Sequence, residues 1–109
     1  MANITVTTWI ADDVLWERIF GGGWESFGSH WQKAAWHDGT DWDKPGKVTL
    51  WCEDEDGGTT KATVDMAALV AALEKCPPNI VSDVLDDNVD AVSSDYVLQV
   101  AVIGECVFG

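Results

Sequence analysis

Between Gly21 and Trp42 the chain reads GGGWESFGSHWQKAAWHDGTDW, and this stretch holds four of its seven tryptophans, both of its histidines and five of its ten glycines. A tryptophan buries roughly 150–250 Å² of surface. A chain of 109 residues has room for one core only, so a single domain spanning 1–109 is expected. The rings must either be gathered into that core or lie on a surface that meets a ligand. Glycine beside an indole suits both outcomes, because backbone without a Cβ can approach a ring closely.

Two local structures compete here. Trp24, Phe27, Trp31, Ala34 and Ala35 fall on a helical stripe, whereas Trp31, Lys33, Ala35 and His37 alternate with their neighbours as a strand would. Aromatic residues flanked by glycine favour a short helical or irregular turn to about Ser29, followed by a strand. Trp31 lies on both stripes and is expected to be the most deeply buried ring.

The remaining segments read more simply. ANITVTT has the period of a half-buried strand. Thr8 can cap a helix through WIADDVLWERIF, with Ile10, Val14 and Leu15 inward and Gly21 to Gly23 ending it. KVTLWCE and TTKATVD read as strands joined hairpin fashion by DEDGG. Asp65 then caps MAALVAALEK, whose Met66, Leu69, Val70 and Leu73 form the inner stripe before Cys76-Pro77-Pro78 stops it. Asn79 is placed to cap a short helix with Ile80, Val81, Val84 and Leu85 inward, and Ser93 to cap a last one through about Ile103. The order predicts an α+β fold: a small antiparallel sheet of three to four strands packed against three to four helices.

Charge narrows the partners. Nineteen acids face six bases, a net charge of −13, and from Cys76 onward six acids stand without a base. Duplex DNA is held by basic side chains that displace counterions from phosphates, so direct nucleic-acid binding is not expected. A basic protein is the favoured partner. Asp83, Asp86, Asp87, Asp90 and Asp95 crowd one short segment in which Val84, Leu85 and Val89 take the inner side, so the carboxylates are expected to share an outer face. Such a ridge either keeps the chain in solution or imitates nucleic-acid phosphates in the basic groove of another protein.

Other chemistry finds less support in the residues. DWDKPG opens like a calcium loop, but Pro45 and Cys52 stand where ligands should be. His30 and His37 are seven apart, an odd step that points them to opposite faces of a strand, and no zinc spacing or Ser or Cys nucleophile motif is present. The expectation is a protein without enzymatic activity, cofactor or metal. An alternative use of the aromatic stretch is a clamp for a nucleotide, with Trp24, Phe27 and Trp36 as walls and Ser26, His30 and Lys33 as polar contacts. The three cysteines, odd in number and far apart, suit reduced structural roles. No apolar run is long enough to span a membrane, and MANITVTTWIADD lacks the features of a signal peptide, so no membrane partner and a cytoplasmic location are expected. Homo-oligomerisation is left open.

The final fifteen residues, DYVLQVAVIGECVFG, resemble the C-terminal signature of a family of small acidic proteins encoded by tailed bacteriophages and prophages, common among phages of actinobacteria. Asp95, Gln99, Gly104, Glu105, Phe108 and Gly109 carry the likeness, and ESFGSHW, DGTDWDKPGKVTLW and TVDMAALVAAL are similar to the segments upstream of it. The resemblance implies a phage accessory protein in the bacterial host cytoplasm, either a non-enzymatic inhibitor of a host defence or nucleic-acid-handling protein or a minor virion or assembly component. The tail residues Val102, Ile103, Val107 and Phe108 are expected to dock on the core, with Gly104 making the turn out of the last helix.

Overall fold

A computed structural model describes residues 10–26 and 28–108. The expected first strand and the Thr8 cap, as well as Phe27, lie outside the described residues. The described chain is α+β: helix α1 (Asp12–Phe20), a 3-10 turn (Trp24–Ser26), strands β1 (Trp31–Trp36), β2 (Val48–Glu53) and β3 (Thr59–Val64), then helices α2 (Met66–Glu74), α3 (Pro78–Leu85) and α4 (Ala91–Ile103). The strands form an antiparallel sheet in the order β1-β2-β3.

One face of the sheet is apolar because Val48, Leu50 and Cys52 of β2 and Ala62 and Val64 of β3 fall at every second position. Val48, Leu50, Cys52 and Val64 are buried there, with Trp31, Ala34, Trp36 and Ala62 packed beside them. In β1 the alternation is reset. Trp31 pairs with Cys52 but Lys33 pairs with Trp51, so Gln32 is a bulge and both Trp31 and Ala34 face the core. That bulge is why a three-residue, helix-like spacing occurs inside a strand.

Helix α4 packs against β2 and β3 on one side and against α1, α2 and α3 on others. It is consequently buried nearly all round, with Val97, Leu98, Val100 and Val102 in the core. Asp90, rather than Ser93, caps it: the Asp90 side chain accepts from the Ser93 backbone while the Ser93 side chain accepts from the Asp90 backbone, a reciprocal capping box. Gly104, at φ 87°, then turns the tail out of the helix. Pro77 is the cap residue of α3 and Pro78 its first helical residue, in place of the expected Asn79 cap; proline's fixed φ suits that position and its missing N–H is not needed there. Asp65 caps α2 by accepting from Ala68 N.

Helix α1 buries Leu15 and packs the preceding Ile10 against the core as their spacing suggested, but it turns Val14 outward. Leu15, Trp16, Ile19 and Phe20 are buried, while Val14 is exposed. The larger rings win the inner face. Trp16 and Phe20 lie 4.5 Å apart between ring centroids, Phe20 meets Trp36 at 5.2 Å and Trp24 at 6.1 Å, and Trp24 meets Trp31 at 5.0 Å, the last three edge to face. Most of the indole is therefore core. Trp16 is fully buried, with Trp24 2 % exposed, and both lie deeper than Trp31, which is only half-buried. Trp16→Ala is expected to lower stability by about 3–5 kcal/mol, measured by urea unfolding; a loss below about 1 kcal/mol would show that this ring does not carry the core.

Candidate functional site

The tail and the aromatic cluster meet at a buried carboxylate. Asp95, in the first part of α4, is 1 % exposed, and His30, just before β1, is 5 % exposed. Asp95 Oδ1 accepts hydrogen bonds of 2.6 Å from both His30 Nε2 and Trp31 Nε1, and Oδ2 accepts one of 2.7 Å from the Gln99 amide. Gln99, one helical turn on, uses its other groups on the tail: its oxygen accepts from Val107 N and Phe108 N at 2.9 Å each, and its amide also donates to the Phe108 carbonyl at 2.7 Å. The Phe108 ring stacks on His30 at 4.7 Å between centroids and 8° between planes. A buried charge is costly unless donors surround it, and here donors from β1 and α4 do so. The buried His30–Asp95 pair joins the start of β1 to α4, an arrangement that acts as a lock.

Asp95 therefore does not belong to the outer acidic face where its spacing placed it. The other four acids lie elsewhere: Asp86, Asp87 and Asp90 are exposed and Asp83 half-buried, at the corner where α3 runs into α4. Hydrogen bonds from Ser93, first backbone and then side chain, hold the Asp90 carboxyl below its ordinary range, so it is ionised at neutral pH. Asp87 sits in the left-handed region at φ 59°. Arg18 of α1 is committed to this corner, donating to the carbonyls of Val84 and Leu85 at 2.9 and 3.1 Å and lying 3.4 Å from Asp87.

Beside Arg18 opens a cleft of about 310 Å³. Val14, Trp42 and Val89 form its apolar walls, and Glu17 and Asp87 bring acids to it. Trp42 is 45 % exposed, yet its ring packs against Gly21. Its ring lies so close to Gly21 that a Cβ there would stand 3.2 Å from it and 2.6 Å from the Glu17 carbonyl. Its loop is anchored by Trp16 Nε1, which donates to the Asp41 carbonyl at 2.8 Å, and by the Asp41–Lys44 backbone bridge. Charge spacing had pointed to this corner. The apolar cleft within it was not read from the sequence, since Val14 was placed inward and Trp42 was one indole among many.

Of the alternative clamp, Trp24, His30, Lys33 and Trp36 do not all meet in one place. Trp24 is a core ring, His30 is locked to Asp95, and Trp36 packs from the core face of β1 against Phe20. Lys33 is exposed, its Nζ 4.8 Å from the Trp51 ring on the opposite sheet face, where Lys61 approaches the same ring at 5.6 Å. His37 is exposed and bonded to Thr49 Oγ1 at 2.9 Å. Trp24 and Lys33 do share a shallow pocket, together with Glu25, Trp31, Gln32 and Ala34. Among the described residues no three His, Cys, Asp or Glu side chains are grouped to hold a metal ion, and no helix is long and apolar enough to cross a membrane. No protein-family model, curated protein or solved structure matches the chain.

Removing Asp95 would leave His30, Trp31 and Gln99 donors facing one another without an acceptor. Asp95→Ala is expected to cost about 3–5 kcal/mol, and Gln99→Ala to release the tail, seen as faster hydrogen exchange at Val107 and Phe108 with the sheet amides still protected. A variant Gln99→Ala whose tail exchanges as slowly as before would show that the tail is held by something else.

The cysteines are free thiols. Burial, then the charges of Asp95, Glu53 and Asp54, pushes the Cys52 thiol up to about 12, and burial with the nearby Cys106 pushes Cys76 up to about 11. Thiols whose pKa is raised by folding add stability that is complete below the unfolded value of 9.0 and is lost as pH rises through the folded values. The urea midpoint is expected to fall between about pH 9 and 11, and Cys52 to resist iodoacetamide at about pH 8.5 until the protein is unfolded.

Proposed function

We propose that the protein acts without catalysis, by binding a basic protein of its host through the acid-rimmed cleft at the meeting of α1, the Trp42 loop and the α3–α4 corner. The observation that carries the reading is Trp42, an indole packed against Gly21 yet 45 % exposed, in a cleft that Glu17 and Asp87 also line. Tryptophan in such a setting dominates binding energy at protein interfaces, because a large ring can be desolvated with little loss of side-chain freedom. Asp86 and Asp90, exposed to either side of Asp87 and Val89 in the chain, extend the acidic rim. A partner that matches it presents an apolar side chain to the cleft and lysines or arginines to the rim. If the partner's groove ordinarily holds nucleic acid, these carboxylates stand in for phosphates. The likeness of the tail to phage accessory proteins supplies the setting, inhibition of a host defence or nucleic-acid-handling protein.

The test is capture of the tagged protein from host lysate at low salt, identification of what is bound, and titration with the purified partner. Affinity should fall steeply with salt, since exposed charges are screened beyond about 10 Å at 0.1 M. Trp42→Ala and the combined Asp86→Asn, Asp87→Asn and Asp90→Asn changes should each weaken binding by roughly tenfold or more. Asparagine keeps the α4 cap at position 90 and tolerates the left-handed backbone at 87, so the fold should survive. A partner whose affinity ignores both sets of changes would overturn the assignment.

A further inference from the structure

The lining of the acid-rimmed cleft is unbalanced in charge. Val14, Glu17, Arg18 and Gly21 follow helical spacing along one side of α1 and its cap, and Trp42, Asp87 and Val89 complete the walls. Arg18 is already committed, because its guanidinium donates to the carbonyls of Val84 and Leu85 and lies 3.4 Å from Asp87 Oδ1. Glu17 is exposed and pairs with no base among the described residues, and the Asp87 side chain is 74 % exposed. Two acids against one base leave one negative charge over. A monovalent cation completes the set.

The indole narrows what kind of cation that is. On the open face of the sheet Trp51 is covered by cations, the ammonium groups of Lys33 and Lys61 lying 4.8 and 5.6 Å from its ring. Trp42 is the one exposed indole among the described residues, and no lysine or arginine of those residues stands over it. An aromatic face beside uncompensated carboxylates attracts a cation. Val14 and Val89 suit a methylene stem, the ring suits a flat group, and the carboxylates suit a group with several N–H donors. Arginine has all three features. The ammonium of lysine is compact and more strongly hydrated, so it gives up water less readily and cannot lie flat on the ring.

We infer that the side chain this cleft takes from its partner is an arginine, with its stem against Val14 and Val89 and its guanidinium on Trp42 and paired with Glu17. The inference rests on the cleft being the docking site proposed above, and it names what enters: the apolar part is the methylene stem of the arginine. Asp86 and Asp90 remain on the rim for further bases.

Titration of the ¹⁵N-labelled protein with acetyl-Gly-X-Gly-amide peptides, X being arginine, lysine, citrulline or norleucine, at one low ionic strength tests the inference. The Trp42 indole N–H resonance, recognised as the one lost in Trp42→Ala, should shift saturably with the arginine peptide at concentrations on the order of millimolar. The lysine peptide has the same charge and should bind about threefold more weakly or worse. Citrulline and norleucine, which keep the shape or the stem without the charge, should lose about tenfold or more. Glu17→Gln, a change at an exposed helical position, should weaken the arginine peptide by about threefold with the other resonances in place. Equal binding of lysine would show that the net charge of −13 attracts any cation, and norleucine binding as tightly as arginine would show that the cleft takes an apolar side chain. Either result, a shift that does not saturate, or an unaltered affinity in Glu17→Gln would overturn the inference. The peptides are read on the protein alone, whereas the docking reading falls with a captured partner indifferent to Trp42, so the two fail separately.

Discussion

The structure turns on one buried carboxylate. Helix α4 lies at the centre of the molecule, touched by the sheet on one side and by α1, α2 and α3 on others, and apolar residues surround nearly its whole circumference. Hydrophobic burial alone would hold such a helix in place but leave its rotation poorly defined, since one apolar side is much like another. Asp95 and Gln99, four residues apart, mark one side as polar. That side must face His30 and Trp31, because elsewhere a desolvated charge would have no donors. The lock thus sets the rotation of α4 against the beginning of β1, and through Gln99 it also sets the path of the tail across His30.

Much of the fold was legible because local rules and tertiary demands agree in it. The alternation of β2 and β3, the hairpin between them and the Asp65 cap all describe segments whose hydrogen bonds are made to near neighbours in sequence. The misplacements share a cause. Val14 and Trp16 are both apolar and stand on different sides of α1, and only the presence of Phe20, Trp24 and Trp36 nearby decides for the larger ring. Asp90 and Ser93 are both good caps, and the structure uses them together as the two halves of one box. Asp95 looked like a fifth member of an acidic run because its three donors lie up to 65 residues away. A faint signal was present: in YVLQVAVI, Gln99 is the single polar residue in an apolar run, and Asp95 precedes it by one helical turn.

Charge is sorted in space as well as in sequence. Lys33 and Lys61 flank Trp51 on the sheet face turned away from the helices, while Arg18 closes the end of α3, where the final carbonyls of a helix favour a cation. These bases are therefore engaged with an aromatic ring and with backbone, and the acids of the α3–α4 corner gain from them only the single contact between Arg18 and Asp87. The corner keeps most of its negative potential unneutralised.

The same economy of groups links the core to the cleft. Trp16 is fully buried, but its N–H reaches the Asp41 carbonyl and so fixes the loop that carries Trp42. Phe20, buried beside Trp16, ends α1 just before Gly21, whose lack of a Cβ lets the Trp42 ring come close. Gly22 is equally constrained, since a Cβ there would stand 2.7 Å from Ser94 Oγ and 2.9 Å from Val89. Two glycines thus form the floor against which Trp42 and Val89 stand. An exposed indole on a mobile loop would lose much of its binding energy to ordering. In the proposed binding that cost is reduced, because the contacts of the Trp42 loop are made to Trp16 and Gly21, residues in or beside the core.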